Sequence, residues 1–230
     1  MGIQAWSLKQ PAETELTNTL PIQSSPENSV VEKPQVEAPV PSKTSIAQMD
    51  WQQLEHCVSQ CQLCELHSSR TQTVFGVGNP TADLLIIGEA PGADEDRLGE
   101  PFVGRAGKLL DAMLAAIQLD RNQVYIANIL KCRPPNNRDP HTSEIFCCDP
   151  YLQRQIDLIQ PKLILALGRI SAHHLLVSQE TLAKLRQSQH RYNGIPLVVS
   201  YHPAYLLRSP VEKRKSWQDL LKVKQLLKSL

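Results

Sequence analysis

The sequence predicts a one-core α/β protein in which helices flank a mostly parallel sheet. Three observations favour this class: four short continuous apolar runs, helical stretches between them, and a polar loop after each run. The loops that follow the strands of an open α/β sheet converge on one edge. We therefore expect the four loops to build one site.

The four predicted strands are aliphatic and β-branched runs with glycine or proline close by. They cover Leu84 to Ile87, Val124 to Leu130, Leu163 to Leu167 and Leu197 to Tyr201. Runs that are apolar on both faces are typical of strands buried in a parallel sheet.

The predicted helices carry apolar side chains at helical spacing. In residues 105–118 this stripe consists of Leu109, Leu110, Met113, Leu114 and Ile117. In residues 143–159 it consists of Ile145, Leu152, Ile156 and Ile159. Helices over 169–177 and 216–230 complete a βαβαβαβα order, and a shorter helix over 49–57 precedes the first cysteine pair.

Residues 1–45 differ in composition from the rest of the 230-residue chain. They contain six prolines, five glutamates and three lysines with no sustained apolar period, so the sequence predicts a disordered tail followed by one domain over 46–230. The whole chain has a net charge of +1 and the tail contributes −2, so the domain has a net charge of +3. A modestly basic domain is compatible with a polyanionic partner but does not identify one.

The sequence argues against a membrane or secreted protein. No apolar run reaches membrane-spanning length, and the amino terminus lacks the basic start and apolar centre of a signal peptide. We expect a cytoplasmic protein, in which six cysteines are metal ligands or core thiols rather than disulfides.

Four of the cysteines are candidates for a metal centre. Cys61 and Cys64 form a C-x2-C pair, Cys132 follows the second strand, and Cys148 lies on the next predicted helix. Four thiolates can bind zinc or an iron-sulfur cluster, and ordinary buried thiols are the alternative. We expect the other two cysteines, Cys57 and Cys147, to be packing residues.

A series of motifs, in order, resembles the family 4 uracil-DNA glycosylases, the iron-sulfur branch of the uracil glycosylase superfamily. They are C-x2-C-x-L from Cys61, GEAPG from Gly88, PFVGRAG from Pro101, NILKCRPP-x-NR from Asn128, E-x3-C-x-P-Y-L from Glu144 and HPAYLLR from His202. The resemblance runs from Cys61 to the C-terminal helix and does not extend to residues 1–45. It implies base excision repair of uracil in DNA by hydrolysis of the N-glycosidic bond.

The resemblance also implies a fold and a cofactor. The fold is a three-layer α/β/α sandwich around a four-stranded, mostly parallel sheet. The cofactor is a four-iron, four-sulfur (4Fe-4S) cluster held by Cys61, Cys64, Cys132 and Cys148. We expect this cluster to be structural, because hydrolysis calls for no electrons.

Three residues are expected to bind the flipped base. His202 is where the family places the donor to uracil O2, which stabilises the departing uracilate. Asn128 can accept from uracil N3–H and donate to O4, a pattern that cytosine mismatches, and Phe102 is expected to stack on the base. Without the motifs, the sequence would favour other roles: a capped or partly buried histidine for His202, a backbone-bonded amide for Asn128 and a core aromatic for Phe102.

The first loop is expected to meet the base and the attacking water. The family places the Gly88 backbone and the Glu89 carboxylate there, and Glu89 and Glu95 are the candidates to orient water. Other superfamily branches carry an aspartate where this chain has Ala90. Catalysis is therefore expected to depend more on stabilising the leaving base.

DNA contacts are expected around this pocket. Leu206 and Leu207, together with Tyr205, are candidates for a wedge that fills the gap left by flipping, with core packing as the alternative. The candidate phosphate contacts are Lys131, Arg133, Arg138 and Arg208. We expect a monomer acting on single- or double-stranded uracil-containing DNA, and a tail that binds a replication or repair protein.

Three other functions compete with uracil excision. A related enzyme traps uracil-DNA covalently through a histidine in a basic insertion, but the loop after Cys132 has no such insertion and only His141 lies nearby. A non-catalytic iron-sulfur module, or a domain recruited to a DNA polymerase, would bind uracil-DNA without leaving an abasic site. A zinc-binding structural protein would be colourless where an iron-sulfur protein is brown.

Overall fold

The computed structural model describes residues 43–229, which have a mixed α/β architecture built on one six-stranded sheet. The strands are β1 (Val77–Gly78), β2 (Leu84–Gly88), β3 (Tyr125–Asn128), β4 (Leu163–Leu167), β5 (His190–Tyr192) and β6 (Ile195–Ser200). Most of the tail predicted over 1–45 lies outside the described residues.

The sheet has the order β1-β3-β2-β4-β6-β5. The four central strands are parallel and are the four that the sequence predicts, whereas β1 and β5 pair antiparallel at the two edges. The predicted count of four strands is therefore corrected to six. The edge strands have only two and three residues and are partly exposed, so they carry no buried apolar run to predict them.

Helices cover both faces of this sheet. They are α1 (Lys43–Ile46), α2 (Trp51–Ser59), α3 (Ala93–Leu98), α4 (Arg105–Ala116), α5 (Thr142–Ile159), α6 (Arg169–Leu176), α7 (Leu182–Gln187), α8 (Pro203–Arg208) and α9 (Lys213–Ser229). The sequence does not predict α3, α7 and α8, because six residues span less than two turns and show no clear period. Of the helices in residues 43–229, none is long and apolar enough to cross a bilayer.

Alternate side chains of β2 enter two separate cores, one on each face of the sheet, where the sequence predicted one core. Leu85 and Ile87 pack with apolar residues of α5 and α6, whereas Leu84 and Ile86 pack with α4 and α9 on the opposite face. Each such side chain, once fully buried, contributes about 1.5–3 kcal/mol. The two cores fix the sheet rigidly beneath the loops at its carboxyl edge.

The strand order opens a crevice at that edge. The chain passes from β2 to β3 on one side and then crosses to β4 on the other side of β2. Loops that follow two such neighbouring strands diverge, and this is where open α/β sheets bind ligands. The last residues of β2 and β3, Gly88 and Asn128, lie side by side in register.

Candidate functional site

A cavity of about 410 Å³ lies at the carboxyl edge of the sheet. The loops after β2, β3 and β6 supply most of its lining, so three of the four loops that the sequence predicts line the cavity and the loop after β4 does not. Its lining includes Glu89, Phe102, Asn128, Asp139, His202 and Arg208. Gly168, after β4, lies behind His202, where an added Cβ would be 3.0 Å from the histidine Cβ.

Asn128 contributes an unpaired polar atom to this cavity. Its side chain is buried, and Oδ1 has no hydrogen-bond partner among the described residues. An orphaned buried acceptor costs about 1–3 kcal/mol unless a ligand supplies the donor. The structure therefore does not support the alternative role, in which the Asn128 oxygen accepts a hydrogen bond from neighbouring backbone.

Gly88 allows Asn128 and Phe102 to approach the end of β2. A Cβ at position 88 would lie 2.4 Å from Asn128 Oδ1 and 2.7 Å from Phe102 Cζ. Both distances are shorter than carbon atoms tolerate, so only glycine fits between these side chains. The glycine thus forms part of the floor on which a planar ligand could lie.

Phe102 is held by its backbone in an unusual conformation. Its φ is +54°, in the left-handed region that few side chains adopt. Arg121 donates to the carbonyl oxygens of Pro101 and Phe102, and a Cβ at Gly107 would be 1.7 Å from the Phe102 oxygen. The buried ring stacks with His202, with centroids 5.4 Å apart and planes at 29°. Such anchored strain is typical of a side chain held for binding.

His202 presents a neutral imidazole to the cavity. It occupies the N-cap of α8, where its Nδ1 accepts from the Ala204 N–H at 3.2 Å, and Pro203 starts the helix. Because Nδ1 is an acceptor, the proton of the neutral ring is on Nε2. Burial, assisted by the nearby Arg208 charge, lowers the pKa of His202 to about 4. At neutral pH the ring is therefore a fixed, uncharged hydrogen-bond donor.

Glu89 has a carboxyl group whose pKa is raised towards neutral pH. Burial and, less strongly, the Asp139 carboxylate raise the pKa of Glu89, Arg169 lowers it, and the resulting pKa is about 7. Arg169 is itself paired with Asp139 at 2.6 Å. Asp139 lines the cavity, but the sequence reasoning missed it because it reads as one polar residue of an ordinary loop. A carboxyl group near its pKa can exchange protons with water at neutral pH.

Glu95 ties two lining segments together. Its carboxylate accepts from the N–H groups of Gly92 at 3.1 Å, Val103 at 3.0 Å and Gly104 at 3.1 Å. Charge-assisted bonds to three backbone donors hold the carboxylate in place. Glu95 therefore positions the loop after β2 against the segment that carries Phe102.

The predicted phosphate contacts divide into two groups. Lys131 is 1% exposed and does not present its cation to a phosphate, so the prediction for Lys131 is corrected; a lysine in a loop shows no sign of its tertiary partners. Arg138 lines the cavity with 34% of its side chain exposed, and its two terminal guanidinium nitrogens donate to Glu144, so its role as a phosphate contact stays a prediction. Arg133 is half-buried on the same loop, and Arg208 is exposed at the cavity rim.

The candidate wedge residues also differ in exposure. Leu206 is 1% exposed and belongs to the core beneath α4 and α9, which corrects its assignment to the wedge. Leu207 is half-buried, and Tyr205 is exposed, lines the cavity and stacks on Tyr201 at 5.2 Å. These two are the apolar side chains of α8 available to a ligand.

The four candidate metal ligands lie in one neighbourhood. Burial has the largest effect on the pKa of the Cys132 thiol and raises it, Arg70 lowers it, Cys64 and Cys61 raise it, and the resulting pKa is about 11. Burial likewise raises the pKa of Cys148, to which Cys132 and Cys64 add. Four mutually interacting soft sulfur donors suit an iron-sulfur cluster or zinc. Within residues 43–229, no three His, Cys, Asp or Glu side chains are close enough to hold a single metal ion.

The remaining two cysteines have other neighbours. The Cys57 thiol lies 3.8 Å from the Tyr151 hydroxyl, and the Cys147 thiol donates to the Leu63 carbonyl at 3.3 Å. These contacts agree with the packing role expected for both.

Comparisons with known proteins identify relatives across most of the domain. The family model of the uracil DNA glycosylase superfamily matches residues 75–221. The type-4 uracil-DNA glycosylase of Archaeoglobus fulgidus is 42% identical over 177 residues, covering 74% of this chain and 89% of the relative. The type-4 enzymes of Sulfurisphaera tokodaii and Saccharolobus solfataricus are 43% and 44% identical, covering 74% and 75% of this chain and 81% and 84% of their own lengths.

Proposed function

The chain belongs to the uracil-DNA glycosylase superfamily, among the type-4 enzymes, and we propose that it excises uracil from DNA in the cavity at the carboxyl edge of its sheet. The enzyme is a DNA glycosylase, and its reaction belongs to DNA repair. The observation that supports this site best is Asn128 Oδ1, a buried acceptor without a partner beside an anchored aromatic ring and a neutral imidazole.

In this proposal Asn128 selects uracil. Its Oδ1 accepts the N3–H of the flipped base, while its amide donates to O4. Cytosine has an acceptor at N3 and an amino group in place of O4, so it would leave both Asn128 groups facing like partners. A site built on such bonds rejects the mismatched base by about 10⁴-fold.

Phe102 and His202 act on the base once it is bound. Phe102 stacks on the uracil ring, because Gly88 and Gly107 leave room for it at the end of β2. His202 donates from Nε2–H to uracil O2, where negative charge develops as the glycosidic bond breaks. A donor held by the α8 N-cap needs no reorganisation in that step.

Glu89 orients the attacking water in its ionised form. Its pKa of about 7 leaves roughly half of the molecules ionised at neutral pH. Glu95 supports the same step from a distance, because it holds the Gly92 loop in place. Water then attacks the oxocarbenium-like sugar after most of the bond to the base has broken.

In this proposal DNA contacts residues in and near the cavity. The phosphates meet Arg208, which lines the cavity, and Arg133, which is half-buried on the loop after β3. Tyr205 and the half-buried Leu207 fill the space of the flipped nucleotide. The monomeric state stays a prediction. Cytoplasmic location and a protein partner for the tail stay predictions.

We propose that Cys61, Cys64, Cys132 and Cys148 hold a 4Fe-4S cluster. The donor chemistry fits, since all four are soft thiols in one neighbourhood and an Arg70 nitrogen lies 3.2 Å from the Cys132 sulfur. When bound, the cluster supplies a cross-link between the segment before β1, the loop after β3 and α5. That cross-link would hold the loop that follows Asn128.

The test is incubation of the protein with an end-labelled oligonucleotide that holds one uracil, followed by alkali cleavage at abasic sites. Matched oligonucleotides with cytosine or thymine at that position are the controls. We expect cleavage at uracil alone. Binding without cleavage would overturn the proposal in favour of a non-catalytic module.

A further inference from the structure

Lys131 is a lysine that the proposed reaction does not use, yet it is almost fully buried at 1% exposure. Its Nζ donates to the main-chain oxygen of Asn128 at 2.9 Å and to Gln155 Oε1 at 2.6 Å. Both acceptors are uncharged. A buried ammonium group is costly unless an anion compensates its charge, so these two bonds do not account for its position.

Two of the proposed cluster ligands are neighbours of Lys131. Cys132 and Cys148 both interact electrostatically with its ammonium group, and the Lys131 main-chain N–H donates to the Cys148 sulfur. On the far side of Cys132, Arg70 donates from Nη1 to the sulfur at 3.2 Å. Two cations therefore flank two of the four proposed cluster ligands. Cluster-bound cysteines are thiolates, and they would supply the missing negative charge.

The same lysine touches the base-binding site. Its bond to the Asn128 main-chain oxygen fixes the carbonyl group at the end of β3. The carbon of this carbonyl group is two bonds from the Asn128 Cβ. Gln155, on α5, accepts a hydrogen bond from the ammonium group and donates to the Phe75 oxygen at 3.0 Å. These bonds connect Lys131 to α5 and to the segment before β1. Lys131 is thus a direct bridge between the cysteine set and the residue that reads the base.

We propose that Lys131 is the buried counter-charge of the cluster cysteines and, through its bond to the main chain, the positioning residue of Asn128. The inference rests on the proposed iron-sulfur site. Its consequence is that cluster retention and uracil recognition depend on one side chain. Loss of the thiolate charge weakens the hold on Asn128, and loss of the ammonium charge weakens the hold on the cluster.

The test compares Lys131→Met with Lys184→Met in the full chain. Methionine keeps the length and apolar stem of lysine but removes its charge, and Lys184 is an exposed lysine paired only with Glu180, with 67% of its side chain accessible. Three readouts are followed: iron per chain, the rate at which a chelator bleaches the cluster absorbance, and its midpoint reduction potential. Single-turnover rates on uracil and cytosine oligonucleotides are measured alongside.

We expect Lys184→Met to match the wild type throughout. Lys131→Met should bleach about 10–100-fold faster, the effect typical of losing a partner of a metal ligand. Its potential should shift to more negative values, because a positive charge beside the cluster favours the added electron. Its single-turnover rate on the uracil oligonucleotide should fall at least about tenfold, as expected for a misplaced binding group.

The outcomes separate the inference from the cluster proposal. A wild-type protein that is colourless and iron-free overturns both. A brown wild type whose Lys131→Met variant keeps the same bleaching rate and potential overturns the inference alone. Should Lys131→Met fail to fold, Arg70→Met removes the second cation beside Cys132, and an unchanged bleaching rate and potential in that variant would contradict the counter-charge role.

Discussion

Replacing Gly88 by alanine should disable uracil excision without unfolding the protein. The added Cβ would lie 2.4 Å from Asn128 Oδ1 and 2.7 Å from Phe102 Cζ, whereas ordinary contacts begin near 3.4 Å. Asn128 Oδ1 must therefore retreat by about 1 Å and the Phe102 ring edge by about 0.7 Å. One methyl group thus displaces both side chains that are proposed to hold the base.

The size of the effect follows from these displacements. A misplacement of about 1 Å in a binding group can cost about 10²-fold in rate. Overpacking of a buried site costs about 1–3 kcal/mol, which for a domain of this size lowers Tm by about 2–12 °C. We therefore expect a folded Gly88→Ala protein whose single-turnover uracil rate is lower by about 10²-fold.

Gly194→Ala is the matched control. Gly194 has a φ of +85°, so alanine there is strained, but nothing lies within 4 Å of the added Cβ. This variant should lose about 1–2 kcal/mol of stability and keep its excision rate. Single-turnover assays on a uracil oligonucleotide, with Tm measured on the same samples, compare the two. A Gly88→Ala protein as active as Gly194→Ala would refute the steric argument.

Three further predictions concern the charged and titratable groups. Glu89 ionises with a pKa of about 7, so the excision rate should rise as pH increases through 7, and Glu89→Gln should lower the rate about 10²–10⁴-fold and flatten this profile. The folded pKa of His202, about 4, lies below the ordinary 6.5, so the folded state binds fewer protons and loses stability as pH falls from 6.5 towards 4. In urea titrations, His202→Ala should not show this contribution of His202 to the loss of unfolding free energy at low pH. The same variant should lower the excision rate about 10²–10³-fold, and an unchanged rate would exclude His202 from the mechanism. Asp219 pairs with the buried Arg186 at 2.7 Å, so Asp219→Ala leaves that charge unpaired and should lower the free energy of unfolding by about 3–5 kcal/mol, measured by thermal unfolding. The control is Asp83→Ala, which removes an exposed ion pair with Lys162 and should change stability little.

The sequence predicted the parts of the fold that leave a periodic or continuous signal. The central parallel strands were predicted because each is a buried apolar run, and Asn128 and His202 end or follow such runs. The role of His202 came from the resemblance to the family, and that of Asn128 from the match between its amide and uracil. The edge strands β1 and β5 were not, because their stability comes from pairing with neighbours rather than from their own composition.

The burial of charged residues was the main property that the sequence did not predict. Lys131 follows a strand in a loop rich in basic residues, which is typical of a surface cation. Its burial depends on Gln155, which is 24 positions away on α5, and on the cysteines beside it. Leu206 shows the converse: it was predicted as a wedge because it follows His202 in the HPAYLLR motif, but the apolar faces of α4 and α9 enclose it. Both outcomes are decided by tertiary packing.

The most direct test of the account is the ratio of single-turnover rates on uracil and cytosine in one oligonucleotide sequence, measured for the wild type and for Asn128→Ala. The wild type should favour uracil by about 10⁴-fold, and Asn128→Ala should lose about 10²–10⁴-fold of the uracil rate while its Tm stays within a few degrees. An Asn128→Ala protein that keeps both the uracil rate and the discrimination against cytosine would contradict the claim that this buried amide reads the base.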